Sequence, residues 1–130
     1  MQHETGCTEN RDLKGDIMLS IASIVCFAAA AVLGVALAAM YQKGKLSLNT
    51  ALAHGACGAA GLVLLIATAV EGGLSTVGMA ALGIFVIAAL GGFVLFFNHL
   101  TKHSLPKPLI AIHGAAAVVA FLLLLFGSLK

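Results

Sequence analysis

Four apolar runs, at residues 17–41, 48–70, 75–97 and 109–129, take up most of this chain, and only short polar breaks separate them. A helix needs about 20 apolar residues to cross the hydrocarbon core of a bilayer. Each run reaches that length. Backbone N–H and C=O groups in lipid must bond within the segment, so the runs are expected to be transmembrane helices. The composition agrees: 61% of the residues are hydrophobic and 9% are charged, against roughly 25% charged in a soluble domain. The bilayer is the expected solvent.

The breaks define the connectivity. Gln42-Lys43-Gly44-Lys45 ends the first run, and Glu71-Gly72-Gly73 reads as a tight turn after the second. The segment 98–108 carries Pro106 and Pro108, which bar helix until the fourth run begins. Connections this short place consecutive helices antiparallel. The expected fold is all-α: an integral membrane, up-down-up-down four-helix bundle occupying residues 17–130. Residues 1–16 are polar, carry both signs of charge and read as a poorly ordered leader. The first apolar run is too long for the core of a signal peptide and is kept as a mature helix.

Lys43, Lys45, Lys102 and Lys107 lie in the loops after the first and third helices. Arg11, Lys14 and Lys130 lie on the opposite side, a weak bias that puts both termini outside the cytoplasm. The expected location is a bacterial inner membrane, crossed several times. A net charge of +2 is too small to suggest a nucleic-acid partner. There is no Asp or Glu inside any run, which argues against a proton-coupled exporter. No Ser-His-Asp set, phosphate-binding loop or pair of acids is visible, so no catalytic residue is assigned. Cys7, Cys26 and Cys57 form no CxxC pattern, and the latter two read as small apolar residues.

The two halves of the chain resemble each other. When His54 is laid over His113, Ala-Leu-Ala-His54-Gly-Ala-Cys-Gly falls over Ile-Ala-Ile-His113-Gly-Ala-Ala-Ala. Lys43 then lies over Lys102, and Leu46 over Leu105. The bundle is expected to consist of two repeated helical hairpins, with helix 2 related to helix 4. His54 and His113 are the only histidines well inside a run, and each is followed by glycine.

Ionisable groups within a membrane span are costly and tend to be functional. Neutral imidazole is a common metal ligand, and haem iron takes axial histidines. Diagonal helices of a square bundle stand about 12–14 Å apart, given neighbours at about 8–10 Å, which suits two inward imidazoles with a metal between them. The face carrying His54 continues through Gly58 and Gly61, and that carrying His113 through Ala117 and Ala120, small residues that leave a slot for a flat macrocycle. Gly55 and Gly114 flank the histidines and let neighbouring helices approach. Lys43, Lys45, Lys102 and Lys107, with His99 and His103, sit at the membrane end nearer the pair, where the propionates of a haem b would find cationic partners. His99 and His103 themselves read as interfacial residues, and His3 has no evident partner.

The His-Gly pair on alternate helices resembles small bacterial four-helix membrane proteins with the same paired motif. More distantly, it resembles b-type cytochromes such as the cytochrome b561-like group. The resemblance spans the four helices and rests on the two His-Gly motifs. It implies electron transfer through a bis-histidine haem, with a membrane redox partner, a larger complex or a quinone as exchange partner. The chain departs from the two-haem pattern, because it offers one intramembrane pair. The competing reading is a structural or accessory subunit of a larger membrane complex, its histidines in interhelical hydrogen bonds or ligating a pigment magnesium. Copper held by His54 and Cys57 is a further arrangement, and the repeat argues against it because Ala116 stands at the equivalent place.

Overall fold

A computed structural model describes residues 5–129, with side chains from residue 14 onward. Four helices make up nearly all of it: α1 (Thr5–Gln42), α2 (Leu48–Val70), α3 (Thr76–Leu100) and α4 (Lys107–Ser128). There is no strand among the described residues.

The start of α1 differs from the expectation of a poorly ordered leader, since the helix runs back through that segment to Thr5. The physical reason is that residues 5–16 contain no proline and include good helix formers such as Glu9, Arg11, Leu13 and Lys14. Extending an existing helix costs far less than nucleating one. Within the residues whose side chains are described, the stretch of α1 long and apolar enough to cross a membrane is Lys14–Gln42. Helix α4 also begins earlier than expected, at Lys107. Pro106 caps it and Pro108 lies in its first turn, where a missing N–H removes no helical bond.

Local chemistry ends and starts the other helices. Ser47 Oγ accepts from Thr50 N at the head of α2, and Ser75 Oγ accepts from Gly78 N at the head of α3. Gly44 (φ 65°) and Gly72 (φ 79°) take the left-handed conformation just past α1 and α2, where a side chain would be strained.

Helix α1 packs closely along α2, and α3 along α4, while α2–α3 and α1–α4 meet more sparsely. The core is small: Phe27, Leu65, Ala81, Phe85, Ala120 and Leu124. The Phe27 and Phe85 rings stack with centroids 3.8 Å apart and planes within 3°. Two polar side chains lie wholly buried beside this cluster. Ser23 gives its hydroxyl to Ser20 O (2.8 Å) and Thr68 to Leu64 O (3.0 Å), so each is satisfied within its own helix.

Each helix is long and apolar enough to cross a membrane. Only 11–17% of each spanning window is buried inside the protein, so lipid must solvate most of the apolar side chains, among them Val32, Val63, Ile87, Leu90 and Phe93. With lipid as apolar as leucine, helix association depends on close packing and interhelical hydrogen bonds.

Candidate functional site

His54 and His113 each lie six residues into their helix, and the structure brings them together. Their ring centroids are 6.0 Å apart with planes at 77°. Each ring is anchored by the helix packed beside it. His54 Nδ1 lies 2.8 Å from Ala30 O of α1, and His113 Nδ1 lies 2.8 Å from Ala88 O of α3. A carbonyl oxygen only accepts, so both Nδ1 atoms carry the proton and donate. The neutral ring therefore has its lone pair on Nε2. Every buried side-chain nitrogen or oxygen among the described residues has a hydrogen-bond partner. No hydrogen bond reaches either Nε2, so both are open to a water-sized visitor.

Glycines on α1 and α3 set the position of the rings. A Cβ built on Gly34 would stand 3.2 Å from His54 Cε1, and one built on Gly92 would stand 2.9 Å from His113 Cε1. Ordinary side chains at these positions would push the imidazoles off their carbonyls. The same constellation thus occurs twice: an imidazole on one helix, an alanine carbonyl and a glycine on its neighbour.

The sequence-selected small residues divide into three groups. Gly61 is filled rather than open: a Cβ there would meet the Phe27 ring at 3.1 Å, so this glycine seats the phenyl stack and leaves no slot for a macrocycle. The buried Ala120 likewise belongs to the core cluster. Gly58 is half-buried with open space beside it, and Ala117 is half-buried. Gly55 and Gly114 face open space and bring no helix into close approach within this chain. The glycines that do pack on the histidines, Gly34 and Gly92, lie on the partner helices. The sequence shows them only as part of a general thinning of α1 and α3. The repeat register that lays His54 over His113 puts Gly34 over Phe93, one residue past Gly92, so it does not single them out.

Lys43 and Lys45 are exposed in the α1–α2 connection, Lys102 in the α3–α4 connection, and Lys107 opens α4. Lys102 also lines an open cleft of about 330 Å³, with Tyr41, Gly44, Leu46, His99, His103 and Leu105. His3 lies outside the described residues. Cys26 and Cys57 are free, half-buried thiols.

Among the residues with described side chains, no group of three or more His, Cys, Asp or Glu gathers as a metal cage. Comparison with protein-family models, curated proteins and solved structures finds no match to this chain.

Proposed function

We propose that the chain is a small membrane electron carrier in which His54 and His113 are the axial ligands of one haem b. The bundle would consist of two repeated hairpins running up-down-up-down. The observation that carries this reading is the pair of Nδ1–H···O=C anchors, which leaves the Nε2 of each ring without a hydrogen-bond partner on two rings whose centres are 6.0 Å apart. Metal-ligating histidines are typically held in this manner, with the distal ring nitrogen donating to a carbonyl or carboxylate.

The residues fit the group in two further respects. Metal–nitrogen bonds of about 2.0–2.1 Å, plus about 1.1 Å from nitrogen to ring centre, put two opposed ligands roughly 6 Å apart centre to centre. The centroids stand 6.0 Å apart. Two ligands on one metal need not have parallel rings, so the 77° between the planes is no obstacle. Gly34 and Gly92 give the imidazoles the room they occupy against α1 and α3. The Phe27–Phe85 stack closes the core about 10 Å further along α1, given the seven residues from Gly34 and a rise of 1.5 Å each.

When bound, such a group would supply one-electron chemistry, with the potential set by its axial ligands and surroundings. The chain's own part would be to orient both imidazoles and fix their tautomer. Its apolar core would keep water from one side of the pair, and Lys43, Lys45, Lys102 and Lys107 would be available to pair with the group's carboxylates. The test is an oxidised-minus-reduced visible spectrum of protein purified from cells supplied with haem precursor. A sharp α-band on reduction, lost in His54→Ala and in His113→Ala, is expected. A featureless spectrum would overturn the reading.

The second reading is a non-catalytic subunit whose histidines only tie α2 to α1 and α4 to α3. The same two hydrogen bonds favour it, and the featureless spectrum would establish it. A membrane redox partner or host complex belongs to either reading.

A further inference from the structure

Acidic residues are confined to one end of the chain's antiparallel runs. The five of them, Glu4, Glu9, Asp12, Asp16 and Glu71, either precede the first apolar run or sit in the α2–α3 turn. Residues 31–55 and 91–115, which include the two lysine-bearing connections, contain Lys43, Lys45, Lys102 and Lys107 and no Asp or Glu. The cleft of about 330 Å³ lies at this cationic end and takes its lining from both connections. Tyr41 and His99, the penultimate residues of α1 and α3, also line it. Helix α3 has 25 residues. It is therefore about 37 Å long, more than the hydrocarbon thickness of about 30 Å, and its last turn reaches the level of the lipid headgroups.

Three features of the cleft select among ligands. The first is a fixed positive charge, the Lys102 ammonium, with no carboxylate among the lining residues to offset it. Lys102 is held at φ 55°, a left-handed conformation that costs a residue with a side chain and here turns the chain at the cleft. The second is a hydrogen-bond acceptor. Thr101 Oγ1 donates to Phe97 O at 2.9 Å and accepts from His103 Nδ1, also at 2.9 Å, which leaves the lone pair of the neutral ring on Nε2. The third is apolar surface. Leu46 and Leu105 form wall, and Tyr41 Oη donates to Leu105 O at 3.3 Å, which ties that wall to the end of α1. The adjoining turns of α2 and α3 expose Leu48, Leu52, Phe97 and Leu100 to lipid. A soluble phosphate or an acidic peptide would use the charge and leave the apolar surface unmatched. An amphipathic anion with a hydroxyl uses all three.

We propose that this cleft seats the headgroup of an anionic phospholipid from the surrounding leaflet, with phosphatidylglycerol the simplest that has the required chemistry. A phosphate oxygen would accept from the Lys102 ammonium, and a glycerol hydroxyl would donate to His103 Nε2. The acyl chains would lie along the exposed apolar side chains of α2 and α3. Basic pockets between membrane helices bind such headgroups. Tyr41 stands seven residues beyond Gly34, and His99 seven residues beyond Gly92. At 1.5 Å per residue the cleft therefore lies about 10 Å along the helices from the imidazole pair. The site needs no haem, so it stands or falls apart from the electron-carrier reading.

Tyr41 is the only tyrosine and the chain has no tryptophan, so its fluorescence reports on this cleft alone. The whole chain, purified from cells starved of haem precursor, is placed in mixed phosphatidylcholine–phosphatidylglycerol vesicles. Bromine is carried on the acyl chains of one lipid or of the other, and the quenching of Tyr41 is compared. Brominated phosphatidylglycerol is expected to quench more, with an association relative to phosphatidylcholine of about fivefold or more, the factor that one lysine is worth at an anionic lipid surface. Lys102→Asn, which tolerates the left-handed conformation, should abolish the preference, and Lys102→Arg should keep it. His103→Ala should lower it, and Lys45→Ala, at the same end but outside the lining, should leave most of it, with helicity equal across the set. Equal quenching by the two lipids, or a preference untouched by both Lys102→Asn and His103→Ala, would overturn the proposal. Equal losses from Lys45→Ala and Lys102→Asn would overturn it in favour of diffuse attraction to the cationic end. Loss of the preference in inorganic phosphate, at an ionic strength matched with chloride, would overturn it in favour of a site for a soluble anion.

Discussion

Substitution of Gly92 by alanine gives the sharpest test of how the imidazoles are held. A helical Gly→Ala change normally stabilises by about 1 kcal/mol, because glycine is the more flexible residue. At position 92 the new Cβ would stand 2.9 Å from His113 Cε1, 3.4 Å from Nδ1 and 3.6 Å from Nε2. The ring must then yield by several tenths of an ångström, which strains the 2.8 Å bond from Nδ1 to Ala88 O. Overpacking of this kind costs about 1–3 kcal/mol. The net is a fold between unchanged and about 2 kcal/mol weaker, together with a displaced ligand. Gly114→Ala is the control, since a Cβ there meets nothing within 4 Å, and it should gain up to about 1 kcal/mol. Unfolding in mixed detergent micelles, followed by helicity, measures the first quantity, and haem content per protein measures the second. If Gly92→Ala matches Gly114→Ala in both, the ring position is not set by the glycine and the reasoning fails.

Phe27→Ala should cost about 3–5 kcal/mol in the same unfolding assay, because it removes half of the phenyl stack and empties the space that Gly61 provides. Ser75→Ala should cost about 1 kcal/mol, the usual loss for a helix N-cap, with a further effect because Ser75 Oγ also donates to Gly127 O at 3.2 Å across to α4. Thr68→Val should change stability by well under 1 kcal/mol despite full burial, since its hydroxyl bonds only within its own helix. His54→Gln in haem-free protein should cost roughly 0.6 kcal/mol, the mean measured for interhelical hydrogen bonds in a membrane protein, and a loss of several kcal/mol would show a larger structural role than the contact implies.

Helix number and extent were legible because length in apolar residues is itself the physical requirement for a span. The boundaries of α2 coincide with the expected 48–70. The ends that differed did so for local reasons: α1 propagates into a polar segment with no breaker, and α4 accepts proline in its first turn. His54 and His113 were legible as a pair from the register of their Gly-flanked positions. What covers them was not. Residues on the histidine's own helix face were the natural choice for a slot, yet side chains on the neighbouring helix reach the same depth. Gly61 proved to be paired with Phe27 of α1, and the space at the imidazoles belongs to Gly34 and Gly92. That pairing depends on how deeply each helix sits beside its neighbour, which periodicity along one helix does not encode.

The two hydrogen bonds alone do not choose between a ligand and a strut, but their surroundings weigh on the choice. A strut needs one donor per helix pair, and a hydroxyl or amide side chain would serve. Here both anchors use the same ring nitrogen, which leaves the opposite nitrogen of each ring unoccupied inside a spanning segment. The buried hydroxyls of the span differ: Ser23 and Thr68 satisfy themselves within their own helices. The core supports the same distinction. It is filled by Phe27, Phe85, Leu65 and Leu124 on one side of the histidines, and the imidazoles themselves fill the space beside Gly34 and Gly92. A purely structural pair, with ring centres 6.0 Å apart, gains nothing from leaving one nitrogen of each ring without a partner, whereas a shared ligand requires it.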